Sequence, residues 1–412
     1  MAARTVELRT TLAYAQGAYS VAVKLGSQQR IANLLLDTGS STLVVLPHAY
    51  DPHADEARGL TSLAQTIRYG QGSWAGPVLH SQITLGDGQH ERVIGATPLA
   101  LVESAAQNFR DADGLFGLAY RGLDSAYDFD AYLTQTGVTP ASTWPWPFDD
   151  DLTAFRTLAR QQPRVEVTPC FTALEQEGVL PNVFAMVIRR ALVHVLHERS
   201  SATQLLGDSL NSGLLVLGGG EQCQSLYQGP VQSIRIVHDL YYNAHLIAIQ
   251  VGSGPRIEAP PLAEKDLSRA GSNAIFDTGC SFVVLQQTLY SEVLKAFHAH
   301  DPNLSVLIER FQQAFQSEEG LPNSQIKHRD WPELHFFLES SSGGEVHLRC
   351  DPEDYWPHNA LKAGQSIFLL MSQLPNWPDQ SLLGLPLLAG RYCIFDRRID
   401  GLGALKVAKA RE

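Results

Sequence analysis

Two aspartates occupy the same short motif in distant parts of this 412-residue sequence. Residues 37–41 are Asp-Thr-Gly-Ser-Ser and residues 277–281 are Asp-Thr-Gly-Cys-Ser, and an apolar run precedes and follows each motif. Brought close together, two carboxylates share one proton, because like charges a few ångströms apart do not both ionise. One carboxylate then acts as a base on a water molecule while the other protonates or polarises a carbonyl group. The repeated motif therefore predicts acid–base chemistry by Asp37 and Asp277.

The residues beside the two aspartates suit this chemistry. Gly39 and Gly279 leave space next to the carboxylates for a substrate or a water molecule. Supporting hydrogen bonds are expected from the small polar residues of the two motifs, namely Thr38, Ser40, Thr278, Cys280 and Ser281. In the alternative interpretation, the aspartate and threonine are only turn residues between strands. Turn chemistry alone would not repeat the flanking sequence as well, so we favour the catalytic interpretation.

A second pair of motifs follows the first. Residues 115–117, Leu-Phe-Gly, end 80 residues after the first aspartate, and residues 382–384, Leu-Leu-Gly, end 107 residues after the second. A pattern that recurs in the same order indicates an internal repeat. We therefore predict two related β lobes of unequal length, an N-terminal lobe over 1–212 that contains Asp37 and a C-terminal lobe over 213–412 that contains Asp277.

Short strands and turns are predicted to position these motifs. The first 120 residues read mostly as strands, and residues 67–74 indicate a hairpin that turns at a Gly-Gln-Gly sequence. Residues 121–165 differ in composition and are predicted to be a surface insertion rather than a domain. Residues 288–316 have apolar residues at helical spacing, whereas residues 183–198 are compatible with a helix or a strand. The final third returns to short strands.

Composition and charge exclude several classes of function. The chain has 31 Lys and Arg against 43 Asp and Glu, and the resulting net charge of −12 argues against binding to a nucleic-acid backbone. No run approaches the ~18 apolar residues of a membrane span. Five cysteines without a Cys-x-x-Cys pair argue against a disulfide framework and a structural zinc site, and the N-terminus lacks the apolar core of a signal peptide. We therefore expect a cytoplasmic protein without a metal or another cofactor.

With these motifs, the sequence resembles the pepsin family of aspartic peptidases over nearly its whole length. The matching segments are, in order, residues 37–41, 69–73, 113–120, 217–219, 277–279, 382–384 and 394–397. The resemblance implies an all-β, bilobal fold with short helices, in which two β-barrel-like lobes flank a central peptide-binding cleft. It makes Asp37 and Asp277 the catalytic pair.

The resemblance also implies roles in substrate binding for residues outside the two aspartate motifs. Tyr69 becomes the flap tyrosine that closes over bound peptide, and Gly70 and Gln71 supply backbone contacts from the flap. Leu115 lines the pocket beside the scissile bond. The implied function is an endopeptidase that prefers extended peptides with bulky apolar residues, works at acidic pH and is inhibited by pepstatin.

Two copies of the motif in one chain argue against the retroviral type of aspartic protease, in which each chain carries one copy and dimerises. We therefore expect a monomer. Asp37 lies too close to Met1 to leave room for the basic prosegment of the family's proenzymes. On this expectation, the resemblance is closest to bacterial, prosegment-free homologues (shewasin-like), which lack signal peptides and disulfides.

Some positions depart from the family pattern. Cys280 stands where the family usually has Thr or Ser, whose hydroxyl donates to the aspartate; a thiol is a weaker donor, unless Cys280 is simply a small buried residue. Val44 replaces a tryptophan that usually helps to hold the flap tyrosine, and Trp74 either compensates or packs locally as an exposed hairpin residue. We expect the insertion at 121–165 to be a passive surface loop, the alternatives being a cover over one end of the cleft or a partner site.

A catalytically silent peptide- or inhibitor-binding protein on the same fold is the alternative function. Such relatives tend to lose one aspartate, the glycine beside it or the flap tyrosine, and this chain keeps all of them. An oligomeric structural protein has no supporting feature in the sequence. The expected partners are therefore peptide or protein substrates, with neither nucleic acid nor membrane.

Overall fold

The computed structural model describes residues 5–69, 72–86, 91–105, 109–399 and 401–411, which form mainly strands with short helices, as predicted. The strands are, in chain order, Val6–Thr11 (β1), Ser20–Leu25 (β2), Arg30–Asp37 (β3), Leu43–Val45 (β4), Leu63–Tyr69 (β5), Gly72–Leu85 (β6), Arg92–Leu101 (β7), Ser104–Ala105 (β8), Gly114–Gly117 (β9), Ser125–Asp128 (β10), Arg164–Glu166 (β11), Val183–Ile188 (β12), Ser212–Leu217 (β13), Tyr227–Arg235 (β14), Tyr242–Ala244 (β15), Leu246–Val251 (β16), Arg256–Glu258 (β17), Ala274–Phe276 (β18), Val283–Leu285 (β19), Leu321–Pro322 (β20), Leu334–Glu339 (β21), Glu345–Cys350 (β22), Gln365–Ser366 (β23), Leu370–Ser372 (β24), Ser381–Leu383 (β25), Arg391–Asp396 (β26) and Ala404–Ala410 (β27).

The α-helices are short. They are Asp130–Gln135 (α1), Leu152–Ala159 (α2), Cys170–Gln176 (α3), Ala202–Gly207 (α4), Leu267–Ala270 (α5), Gln287–His300 (α6), Pro302–Phe315 (α7), Pro352–Tyr355 (α8) and Leu385–Leu388 (α9). Single turns of 3-10 helix occur at Arg121–Leu123, Ser209–Asn211, Glu264–Asp266, Asn323–Gln325 and His328–Asp330. Among the helices described, none is long and apolar enough to cross a membrane.

The chain divides into two compact units. The first contains Met1–Leu8 and Ser20–Asn182, and the second contains Arg9–Tyr19 and Val183–Glu412. The lobe boundary predicted at 212/213 falls inside the second unit, within β13. Residues 183–212 belong to that unit because β12 pairs with both β13 and β26.

The first unit is built on a barrel. Its strands follow the order β6-β7-β4-β9-β3-β2, and a further pairing of β6 with β2, at Lys24 and Thr84, closes the circle. Within it, β3 runs parallel to β9, while β4 runs antiparallel to β9 and parallel to β7. Alternate residues of β3 are buried, and the apolar strand ends at the aspartate of the first motif.

The second unit repeats part of this topology. β18 runs parallel to β25, while β19 runs antiparallel to β25 and parallel to β24. Each of these strands corresponds to one in the first unit: β18 to β3, β25 to β9, β19 to β4 and β24 to β7. The internal repeat of the sequence is therefore also a repeat of strand topology. The strands β13-β12-β26-β27-β14, which form one end of a 16-stranded sheet, and a separate four-stranded sheet of the order β17-β16-β21-β22 complete most of this unit.

The two segments whose sequences are compatible with a helix, residues 288–316 and 183–198, adopt different structures. Residues 288–316 are helical, and α6 and α7 meet at Asp301, whose side chain accepts from Asn303 N at 2.9 Å and so begins α7. Residues 183–188 form β12, and all six of its residues are buried, which is typical of a strand covered on both faces. Of the ambiguous segment 183–198, the first six residues are therefore a strand, and residues 189–198 form neither a helix nor a strand.

Residues 121–165 contain regular structure, so the expectation of a loop is wrong, while the expectation that the segment is passive stays a prediction. The segment contains β10, α1, α2 and most of β11, and β10 pairs with β5. Its side chains form an apolar cluster with two residues of β5 and β6: the fully or nearly buried members are Ala64, Ala75, Phe129, Leu133, Phe155 and Ala159. The segment and the hairpin of β5 and β6 therefore share a small apolar core.

Candidate active site

Asp37 is the last residue of β3 and lies opposite Gly117 of β9 in parallel register. Its carbonyl oxygen accepts a hydrogen bond from Leu118 N at 2.7 Å, which holds the end of β3 against β9. Asp37 is only 8% exposed, and Thr38 is completely buried. The apolar residues of β3 thus carry a carboxyl group to the buried end of a barrel strand.

Donors from its own turn hold the Asp37 carboxyl group. Gly39 N donates to Oδ1 at 2.7 Å, and Ser40 Oγ donates to Oδ2 at 2.5 Å. Ser41 Oγ points away from the carboxyl group and donates to the Tyr120 carbonyl at 2.5 Å. Both carboxylate oxygens are therefore oriented by residues of the Asp-Thr-Gly-Ser sequence itself, as the spacing of that sequence allows.

Asp277 has a similar local setting in the second unit. It follows β18 directly, and its backbone N donates to the Leu383 carbonyl of β25 at 3.2 Å. Gly279 N donates to Asp277 Oδ1 at 2.8 Å, which matches the bond from Gly39 to Asp37. Thr278 is completely buried, like Thr38. The two motifs thus form the same turn.

The second copy differs at the two residues that follow its glycine. Cys280 Sγ donates to the Phe282 carbonyl at 3.2 Å, whereas Ser40 at the equivalent position donates to its aspartate. Ser281 Oγ donates to the Gly17 carbonyl. The thiol is therefore engaged by the backbone of its own loop.

The downstream glycines explain why a second motif accompanies each aspartate. A Cβ atom on Gly117 would lie 2.4 Å from the carbonyl carbon of Ser41 and 2.5 Å from Thr42 N. A Cβ atom on Gly384 would lie 2.3 Å from the Phe282 oxygen and 2.4 Å from the Cys280 oxygen. Because real Cβ atoms do not approach backbone this closely, only glycine lets β9 and β25 pass beneath the aspartate loops.

The predicted flap is a hairpin of β5 and β6. The two strands pair from Ala64 and Pro77 to Tyr69 and Gly72, so Tyr69 ends β5 at the turn. Gly70 and Gln71 lie outside the described residues. Trp74 is completely buried in β6, so the expectation of an exposed hairpin tryptophan is wrong.

Two further positions of the predicted site lie in the barrel strands. Leu115 is buried in β9, opposite Leu35 and Val44. Val44 is completely buried in β4, where the family usually has a tryptophan. The role of Leu115 beside a scissile bond remains a prediction, as does the role of Tyr69.

The structure adds a residue that the sequence did not single out. Asp124 is 2% exposed, and its Oδ1 accepts from Thr42 Oγ1 at 3.0 Å and from Gln65 Nε2 at 2.7 Å. Thr42 follows the first aspartate motif and Gln65 lies in β5, so one buried carboxyl group joins the motif to the hairpin. Burial raises the pKa of Asp124 to about 6, although the two hydrogen bonds oppose this rise. No sequence pattern marks this residue, since its two partners are distant in the chain.

The comparison with known families agrees with this geometry. The model of a family described as eukaryotic aspartyl protease matches residues 18–139 and 170–406. These segments contain both aspartate motifs, both downstream glycines and the hairpin. Residues 140–169, which include α2, fall outside the match.

Proposed function

Because the chain belongs to the eukaryotic aspartyl protease family, we propose that it is an aspartic endopeptidase in which Asp37 and Asp277 together activate a water molecule. The observation that supports this proposal most directly is the duplicated aspartate turn. In each unit a glycine N–H orients one oxygen of the aspartate, and a second glycine lets a neighbouring strand pass close to the turn. A chain that had kept the fold for another purpose would have no need to keep both turns.

In the proposed reaction, one carboxylate takes a proton from water as the water oxygen bonds to the carbonyl carbon of the peptide. The other aspartate, protonated at the start, gives its proton to the carbonyl oxygen. The aspartate that took the proton of water then gives it to the nitrogen as the C–N bond breaks, while the other aspartate takes back a proton from one hydroxyl group of the tetrahedral diol. These steps release a carboxylic acid and an amine and return the pair to its starting state. Because one proton must stay on the pair, the proposed activity has an acidic optimum.

The proposed substrates are extended peptides with bulky apolar residues, and pepstatin is the proposed inhibitor. Tyr69, Gly70, Gln71 and Leu115 are the proposed binding residues. A single chain with two motifs supports a monomer, since no second copy is needed to supply an aspartate.

The five cysteines support a cytoplasmic location and a likeness to bacterial homologues without disulfides. All of them are free thiols, and Cys170, Cys350 and Cys393 are buried. Burial raises the pKa of Cys170 and of Cys393 to about 12, so these two thiols are unreactive. Such a set of thiols is typical of a reducing compartment.

Cleavage of a peptide with two adjacent bulky apolar residues, measured from pH 3 to pH 7, tests the proposal. Asp37→Asn and Asp277→Asn are each expected to lower kcat by a factor on the order of 10³ or more. Asp130→Asn, an exposed change on α1, is the matched control and is expected to keep full activity. Undiminished cleavage by either motif variant would refute the mechanism. Pepstatin binding without cleavage at any pH would instead favour the catalytically silent binding protein.

A further inference from the structure

Residues 140–169 fall outside the family match and yet lie against the hairpin that carries Tyr69. We propose that Arg156, in this segment, is a positioning residue that holds the hairpin of β5 and β6 and thereby sets how readily it moves. The inference rests on the proposed function, because it takes the hairpin to be the flap. It assigns Arg156 no contact with substrate and no part in the chemical step.

Two hydrogen bonds support this inference, and together they link three segments of the chain. Arg156 Nε donates to Thr66 Oγ1 at 3.1 Å, and Thr66 Oγ1 donates in turn to the Trp74 carbonyl at 2.9 Å. Thr66 lies in β5, three residues before Tyr69, and Trp74 lies in β6. One guanidinium group from α2 is therefore linked to both strands of the hairpin close to its turn.

Helix α2 is held firmly enough to act as an anchor. Asp151 begins it, with Oδ1 accepting from Thr153 N at 2.8 Å and from Ala154 N at 3.0 Å. Phe155, next to Arg156, is buried, and its ring lies 4.9 Å from that of Trp146 and 5.0 Å from that of Phe148. Neighbouring aromatic rings at these distances add to the stability of the cluster. Arg156 therefore lies on a helix, α2, that is packed against the apolar cluster, and not on a loop.

The restraint that Arg156 places on the hairpin is modest. Burial lowers the pKa of Arg156, and the positive charges of Arg68 and Arg160 lower it further. Arg68 belongs to β5, so the hairpin itself carries a charge that repels the guanidinium group. Within the described part of the chain, Arg156 Nη2 is also buried without a hydrogen-bond partner. Within the described residues, Arg156 thus adds one hydrogen bond, opposed by repulsion, to the apolar contacts of the cluster, and this added restraint still allows the hairpin to move when a peptide binds.

Amide hydrogen exchange in the free protein tests this inference without any substrate. Arg156→Ala and Thr66→Val both remove the link, and we expect amides of residues 63–69 and 72–76 to exchange about tenfold faster in each. Arg160→Ala removes the arginine that directly follows this helix without removing the link, and Thr66→Ser keeps a hydroxyl group. Both controls are expected to exchange like the unmodified protein. Equal exchange in Arg156→Ala and Arg160→Ala would overturn the inference.

Peptide kinetics give a second measurement that separates this inference from the proposed function. If the protein is a peptidase, Arg156→Ala is expected to raise KM about threefold or more while kcat stays within about twofold. A fall in kcat with KM unchanged would contradict a positioning role. If no variant and no control cleaves peptide, while exchange still rises in Arg156→Ala and Thr66→Val, the proposed function fails and the restraint on the hairpin stands.

Discussion

Replacing Asp124 by asparagine is expected to stabilise the protein at neutral pH and to leave its stability almost unchanged near pH 3.5. Asp124 is buried, and the side chains that donate to it within the described residues, Thr42 and Gln65, are uncharged. Burial raises its pKa from 3.8 to about 6. An asparagine has nearly the same shape, keeps an oxygen that accepts both hydrogen bonds, and does not ionise.

The sign and size of the effect follow from proton linkage. Between pH 3.8 and about pH 6, the unfolded chain has released the Asp124 proton while the folded protein still holds it. The free energy of unfolding therefore falls as the pH rises through this window. A difference of about 2 in pKa corresponds to about 3 kcal/mol, so Asp124→Asn is expected to gain up to about 3 kcal/mol at pH 7.

Urea unfolding at pH 3.5, 5 and 7, followed by tryptophan fluorescence, measures this gain. Asp124→Ala is the first control: it leaves Thr42 and Gln65 without their acceptor and also removes the titrating carboxyl group, so it is expected to be about 1–3 kcal/mol less stable than Asp124→Asn at every pH. Asp55→Asn is the second. Burial acts to raise the pKa of Asp55, but hydrogen bonds from Ser81, Ser27 N and Tyr50 lower it to about 2. The stability that Asp55→Asn loses relative to the unmodified protein is therefore expected to grow as the pH rises from about 2 to about 4 and to stay constant above pH 4, opposite in sign to the effect of Asp124→Asn. A gain for Asp124→Asn that is equal at all three pH values would refute the reasoning.

Three further predictions concern the aspartate loops and the cysteines. Gly117→Ala places a Cβ atom 2.4 Å from the Ser41 backbone and is expected to abolish folding or activity. In the control Gly122→Ala, the new Cβ atom meets nothing within 4 Å, so this variant is expected to be tolerated. Equal expression and activity of the two variants would contradict the steric argument. Cys280→Ser supplies a better donor beside Asp277, so the acidic limb of the pH–rate profile is expected to move to lower pH, and an unchanged profile would show that the thiol has no influence. A thiol reagent is expected to label only Cys223 and Cys280 in the folded protein and all five cysteines in denaturant, as mass spectrometry of the labelled chain would show.

Much of the fold was predictable because its main signal is local. The strand before each aspartate is an apolar run, and residues 288–316, which form two helices, carry apolar residues at helical spacing. These patterns depend on neighbours in sequence. The failures have the opposite cause: residues 121–165 looked like a loop because their apolar partners, Ala64 and Ala75, lie on strands far earlier in the chain.

The sequence by itself determined the family and the two aspartate turns, since the hydrogen bonds that orient Asp37 come from residues two and three positions away. Only the tertiary structure revealed Asp124 and Arg156. Asp124 meets a threonine 82 residues before it, and Arg156 meets a threonine 90 residues before it. Contacts at such separations are decided by how sheets and helices pack, and residue types alone do not indicate which distant partners a buried carboxyl or guanidinium group will meet.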